Sequence, residues 1–193
     1  MTLRETAKGF RRGQGIYFAH VIALTTPGVE TPQYKAHATE PKSLDGWSSQ
    51  DRALMIEEGR RQADRQLDDL KEVRGRAQWL FTVGVAVTVA IGGVLRADRS
   101  TDGRLVLFVA SLLMLVYGLA GAAGIMAARA DFNTIDTAVL SHKPLPTERY
   151  LAGAYSRILG EGENTVATRI TIFRQAVVWI IAGGYVGLVA TLI

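Results

Sequence analysis

Residues 77–95 read AQWLFTVGVAVTVAIGGVL, a run with no charged side chain. Two further stretches are like it: residues 105–128, LVLFVASLLMLVYGLAGAAGIMAA, and residues 175–193, QAVVWIIAGGYVGLVATLI. The hydrocarbon core of a bilayer is about 30 Å thick and a helix rises about 1.5 Å per residue, so roughly 20 apolar residues cross it. Buried helices of soluble proteins usually keep a polar edge, whereas here Val, Ala, Leu, Ile, Gly and Phe occupy every side. These windows predict an all-α integral membrane protein with three transmembrane helices: TM1 at 77–95, TM2 at 105–128 and TM3 at 175–193.

The rest of the chain is polar. Its 193 residues accommodate one membrane domain with water-side extensions and leave no room for an enzyme domain of ordinary size. The chain has no cysteine, which excludes disulfides, thiolate metal sites, cysteine nucleophiles and palmitoylation. A formal charge of +4 is small for this length. The cations sit beside acids or next to the spans, which fits attraction to anionic lipid and not nucleic-acid binding.

Residues 1–50 are predicted to be a loop-rich arm. Arg4, Lys8, Arg11 and Arg12 precede an apolar run at residues 16–24, a pattern superficially like a secretory signal. His20 interrupts that run, Pro27 and Pro32 follow, and the Ala36-His37-Ala38 triplet lies too far downstream for a cleavage region. A short strand or a membrane-surface segment is the expectation for this run. Pro27, Pro32, Pro41 and scattered Gly and Ser predict a loop over residues 25–50.

From about residue 49 the pattern turns helical. Ile56, Gly59, Ala63, Leu67, Leu70 and Ala77 recur at spacings of three, four and seven, with charges on the other faces. Ser48 or Ser49 can cap this helix, with Asp51 in its first turn. Only Gly75 intervenes before Trp79, at a cost of about 1 kcal/mol in a helix interior, so the water-side helix at 51–76 and the first span are expected to be one helix. The link at 96–104 is short enough to make the first two spans an antiparallel hairpin. Beyond the second span, residues 129–174 are expected to form a helical segment: Phe132, Ile135 and Val139 prolong the helix, and Thr147 with Glu148 starts another. Leu151, Tyr155, Ile158 and Leu159 give that second helix an apolar face, and Gly160 and Gly162 are expected to break it. The protruding ends of three long helices can then pack as a cytosolic bundle.

Orientation follows from the cations. Arg60, Arg61, Arg65, Lys71, Arg74 and Arg76 precede the first span, and Arg129, Lys143, Arg149, Arg157, Arg169 and Arg174 lie between the second and third. The opposite side carries only Arg96, Arg99 and Arg104. The rule that positive charge stays inside predicts a cytoplasmic N-terminus, an external hairpin turn and a C-terminus at the outer face of the membrane. Trp79 and Trp179 fit interfacial anchors or packing residues.

No Asp, Glu, Lys, Arg or His falls inside the spans, which disfavours proton relays and ion-coupled transport. The hydroxyls of Thr82, Thr88, Ser111 and Thr191 are expected to bond back to their own helix. Small residues are more informative, because lipid gives apolar helices no hydrophobic reason to pair and close backbone approach must supply the attraction. Gly84, Thr88 and Gly92 recur on the first span, Gly118, Gly121 and Gly124 on the second, and Gly183 with Gly187 on the third. With Ser111 they are the helix-packing or pore-lining candidates; packing within one subunit is their first expected use, and grooves on all three spans are also compatible with a homo-oligomer. His20, His37 and His142 share no ligand spacing and are expected in loops, so no metal or other cofactor is expected. Ser141, His142 and Asp136 lack a nucleophile turn, and an enzyme would need a site built from Asp131, Asp136, His142 and Tyr150. The expectation is a non-enzymatic protein. Arg60, Arg61, Asp64 and Asp68, on the charged face of the first long helix, are candidates for docking a cytosolic signalling partner or nucleotide.

This arrangement resembles a family. The stretch IEEGRRQ at 56–62 runs through RGRAQW at 74–79 into a first span, followed by a tight hairpin and a cytosolic helical segment. It is similar to the small transmembrane effectors of bacterial anti-phage systems, namely SLATT proteins and the transmembrane effectors of cyclic-nucleotide signalling systems. The likeness covers residues 51–193 and is architectural, and the third span goes beyond the two of the SLATT pattern. The resemblance implies a non-enzymatic effector that assembles in the inner membrane and compromises it when a partner or nucleotide acts on the cytosolic helices. The alternative is a scaffold or accessory subunit of a larger membrane complex.

Overall fold

The computed structural model describes residues 3–26, 32–33, 46–97, 102–127 and 147–193. Among them are four α-helices: α1 (Leu3–Thr25), α2 (Ser49–Ala97), α3 (Asp102–Ala127) and α4 (Thr147–Leu192). The fold is all-α, and three of the helices, α2 to α4, are long and apolar enough to cross a membrane. Each apolar window falls where its uncharged run predicts.

Local chemistry sets the helix limits. The Ser48 hydroxyl accepts from the Asp51 amide at 3.1 Å while the Ser48 amide donates to Asp51 Oδ2 at 3.2 Å. This reciprocal cap satisfies two orphan donors and starts α2. It also holds the Asp51 carboxyl below its usual range, through the side-chain and then the backbone hydrogen bond of Ser48. No proline follows before the first span, and α2 passes through Gly75 unbroken. At the end of α1, the Thr25 hydroxyl donates to the Ile22 carbonyl at 2.9 Å, and Pro27 follows.

The structure corrects the sequence reading in three places. Residues 16–24 are the second half of a 23-residue helix and not a strand, so His20 sits on a helix and not in a loop. Next, α4 runs through Gly160 and Gly162 without a break. Glycine costs about 1 kcal/mol in a helix but does not forbid one, and here Gly162 is the seat of the Gln66 side chain. Finally, Leu67 is 40% exposed, and the inward position next to it belongs to Gln66, whose amide donates to the Leu159 carbonyl at 3.1 Å. The expected helix at 132–139, the turn at 98–101, and His37, Asp131, Asp136, Ser141 and His142 lie outside the described residues.

The chain divides into two compact units. One comprises Met1–Pro32, Val73–Ala128 and Arg169–Ile193. In it Gly84 lies against Leu119 and Ile180, and Ile91 against Gly187. So α2 and α4 run parallel there, and α3 runs antiparallel to both. Tyr17 meets Gly121 and His20 meets Gly124, which aligns α1 with α3. Its core holds Ile16, Tyr17, Leu80, Phe108, Leu115, Ile125, Ile172 and Ile180. At most a third of each apolar window is buried inside the chain. Trp79, Val89, Leu113, Ile181 and Tyr185 are all at least 65% exposed, so the outer surface of this unit is apolar.

The second unit comprises Gln33–Glu72 and Arg129–Thr168. Within it Gly59 admits the Tyr155 ring and Gly162 admits Gln66, so α2 and α4 run parallel here too. Leu70 and Ala152 are buried, and charge covers the outside. Arg61 pairs with Glu57 at 2.6 Å and Lys71 with Asp68 at 2.9 Å, exposed helix pairs that water and salt screen.

Candidate functional site

The small residues of the spans do not share one role. A methyl at Gly118 would stand 2.6 Å from Ile180 Cγ1 and 3.1 Å from the Ala176 carbonyl. One at Gly183 would stand 2.9 Å from Leu115 Cγ and 3.0 Å from both the Leu115 amide nitrogen and the Ser111 carbonyl. One at Gly84 would stand 2.8 Å from Leu119 Cδ2. Gly187 receives Ile91 and the Ser111 hydroxyl. These glycines let α2, α3 and α4 approach at backbone distance, which is where dispersion attraction between membrane helices is strongest. By contrast, Gly92 has nothing within 4 Å of the same position. Thr82, Thr88 and Thr191 donate to carbonyls one turn earlier, at 3.1, 2.8 and 2.6 Å. Ser111 does not: fully buried, it donates across to the Gly183 carbonyl at 2.7 Å. At the far end of the same helices, Arg104 Nε donates to the Ala190 carbonyl at 3.2 Å, a cation at the C-terminus of α4.

Gly121 and Gly124 have a different partner, α1, which sequence reasoning read as part of a loop-rich arm with a short strand or membrane-surface segment. The Tyr17 ring fills the space a side chain at Gly121 would need, and its hydroxyl donates to the Tyr117 carbonyl at 2.6 Å. Tyr17 is fully buried. Burial, then the neighbouring Tyr117, pushes its phenol well above the ordinary range, so it remains a donor. The rings continue as a ladder: Tyr17 meets Tyr117 edge-on at 4.9 Å, and Tyr117 meets Trp179 edge-on at 5.1 Å. Each such pair contributes about 0.5–1.5 kcal/mol beyond its buried area. One turn back, Gln14 donates to Gln175 Oε1 at 2.6 Å and accepts from the Trp179 indole at 3.4 Å. Gly13 is what lets α1 come that close to α4, since a methyl there would lie 3.0 Å from Gln175 Nε2. Of the two tryptophans read as anchors, Trp179 thus packs inside while Trp79 is exposed.

His20 supplies the imidazole of this seat. Its imidazole packs over Gly124, and Nε2 is enclosed there without a well-formed hydrogen bond. Burial first, opposed by the Gly124 backbone and aided to a lesser degree by the Arg169 charge, lowers its pKa below the ordinary 6.5. Arg169 on α4 is itself buried and has Arg74 of α2 nearby; burial and then that like charge hold it below the usual guanidinium range, though it stays charged. These are the charged groups facing His20, since the described part of α3 beside it carries none. A free His20 therefore binds more protons than a docked one between the lowered value and 6.5. Docking of α1 is expected to be full above that window and to weaken as pH falls through it. Spin labels on Gly15→Cys and Val116→Cys, exposed positions of α1 and α3, should move apart on acidification, and His20→Gln should abolish the effect. An unchanged distance, or a change that survives His20→Gln, contradicts it.

The docking-face candidates Arg60, Arg61, Asp64 and Asp68 lie together on the exposed side of α2 in the second unit, where Glu57 and Lys71 pair with Arg61 and Asp68. Tyr150 is half-buried on α4. Among the described residues no group of His, Asp and Glu is placed to hold a metal ion. What the geometry forms is a helix-packing site: three long helices in backbone contact, with a fourth keyed into their grooves by one tyrosine, one glutamine and one histidine. Comparison with known protein families, with characterised proteins and with solved structures finds no match.

Proposed function

We propose that this multi-pass helical protein, with its three candidate spans, is a non-enzymatic bacterial inner-membrane effector of the anti-phage type. In this reading it self-associates, and its cytosolic helices receive a signal and alter membrane integrity. The observation that carries it is that α2 and α4 each join a charged stretch to an apolar window on one uninterrupted helix, of 49 and 46 residues. A helix of that length has about twice the residues a bilayer needs, so each apolar window continues into a charged stretch on the same helix. The small-residue grooves give the spans alternative packing partners, and a ligand that favours one packing shifts the population towards it. The positive-inside distribution supports a cytoplasmic N-terminus with the charged helices on the same side and the α2–α3 turn outside.

Induction in bacteria with a potential-sensitive dye tests the proposal. Depolarisation, alone or together with the neighbouring genes, is expected; an undisturbed potential under both conditions contradicts it. A second reading, a scaffold or accessory subunit, is favoured by the exposed Arg60, Arg61, Asp64 and Asp68 face. Purification in mild detergent separates the two: a homo-oligomer supports the effector and a stoichiometric foreign partner supports the scaffold.

A further inference from the structure

The inward face of α1 is accounted for by Gly13, Tyr17, His20 and Leu24, which meet α3 and α4. Its opposite face is not. Arg11, Gly15, Phe18 and Ile22 follow one another at helical spacing and are all exposed, Phe18 at 57%, with Phe10 exposed beside them. Large apolar side chains on the same face as a cation suit the boundary between acyl chains and headgroups, where the rings sink and the guanidinium stays at phosphate level.

Charge indicates which headgroups. In the unit that contains α1, the described helices carry ten basic residues against two acids, Glu5 and Asp102. Several of the cations lie where α1 docks: Gly13, next to Arg12, lies against Thr171 and against Gln175, next to Arg174, and Arg169 faces both His20 and Arg74. Acidic residues on α2 and α4 begin only at Glu72 and Glu163, on the side away from the spans. The outward face of α1 also belongs to the unit whose spans expose Trp79, Val89, Leu113 and Ile181. A second copy meeting this face symmetrically would set arginine against arginine.

We propose that the Arg11–Gly15–Phe18–Ile22 face of α1 is a binding surface for anionic phospholipid, seated at the headgroup layer of the membrane. Helix α1 is then a peripheral sensor of lipid charge, keyed through Tyr17 to the spans. This inference does not depend on the effector reading.

The full chain tests it, because one introduced cysteine is its only thiol. Gly15 has nothing within 4 Å of a would-be side chain, so Gly15→Cys carries an environment-sensitive fluorophore without disturbing the fold. In vesicles of phosphatidylcholine with phosphatidylglycerol the emission should be blue-shifted relative to phosphatidylcholine alone. Arg11→Gln should weaken the anionic preference roughly fivefold, as expected for one arginine near a charged surface. Phe18→Ser should return the emission towards that of water. Inorganic phosphate added to phosphatidylcholine vesicles should leave it unmoved. Equal emission in both lipids overturns the proposal, as does a shift reproduced by free phosphate. A blue shift that disappears when the protein is diluted into excess lipid also overturns it, because it would show a second copy on this face.

Discussion

Replacing Gly183 with leucine is expected to part α3 from α4 and destabilise the three-helix unit by about 3 kcal/mol, at the upper end of what overpacking costs. The neighbours are what make it severe. Two of the three atoms within 3.0 Å of the would-be Cβ are backbone, the Leu115 nitrogen and the Ser111 oxygen, and these cannot move without the whole helix. The same substitution displaces Ser111 from its bond to the Gly183 carbonyl, leaving a buried hydroxyl in search of an acceptor. Gly92→Ala is the matched control, since nothing lies within 4 Å there. Its stability should stay within about 1 kcal/mol of the parent, shifted upward if at all by the better helix propensity of alanine. Unfolding in mixed micelles, followed by helical circular dichroism, measures both. Equal effects of the two substitutions would show that the Gly183 contact is not a packing seat.

Tyr17→Ala is expected to release α1 from the spans. A buried aromatic truncated to alanine typically costs about 3–5 kcal/mol, and docking of one short helix has little beyond that to lose. Tyr17→Phe keeps the ring in the Gly121 groove and loses only the hydrogen bond to the Tyr117 carbonyl, at a cost of about 1 kcal/mol. Gly121→Leu reaches the same end from the other side by filling the groove. The spin-label distance between positions 15 and 116 should therefore lengthen and broaden in Tyr17→Ala and Gly121→Leu and stay near the parent value in Tyr17→Phe. A parent-like distance in all three variants would mean that α1 is held by something other than this tyrosine.

The division between what was legible in the sequence and what was not has a physical origin. The three spans could be read because an uncharged window long enough to cross lipid is a property of composition, visible without knowing any contact. The join of the charged helix to the first span was legible for a similar reason, since Gly75 is too weak a breaker to stop it. Gly162 shows the limit of that logic: whether a glycine ends a helix depends on what occupies the space beside it, and the Gln66 side chain is 96 residues away in sequence. The seat of α1 was hidden for the same reason. Gly121 and Gly124 were recognisable as small residues, but their partners Tyr17 and His20 lie about a hundred residues earlier, in a segment read as a short strand or membrane-surface segment of a loop-rich arm. The usable signal was the spacing of Gly13, Tyr17, His20 and Leu24, which places them on one helical face. Gln14, Gln175 and Trp179 left no such trace, because a polar pair across two helices has no period.

Side-specific labelling of single cysteines in intact cells and in inverted vesicles tests most directly whether three spans cross the bilayer with their charged prolongations on one side. Because the chain has no cysteine of its own, Arg60→Cys, Gly103→Cys and Arg157→Cys each report one position. Positions 60 and 157 should react with a membrane-impermeant maleimide only in inverted vesicles, and position 103 only in intact cells. Labelling of 60 and 157 from opposite faces, or a protein that stays dissolved and monodisperse without detergent, would contradict the transmembrane assignment.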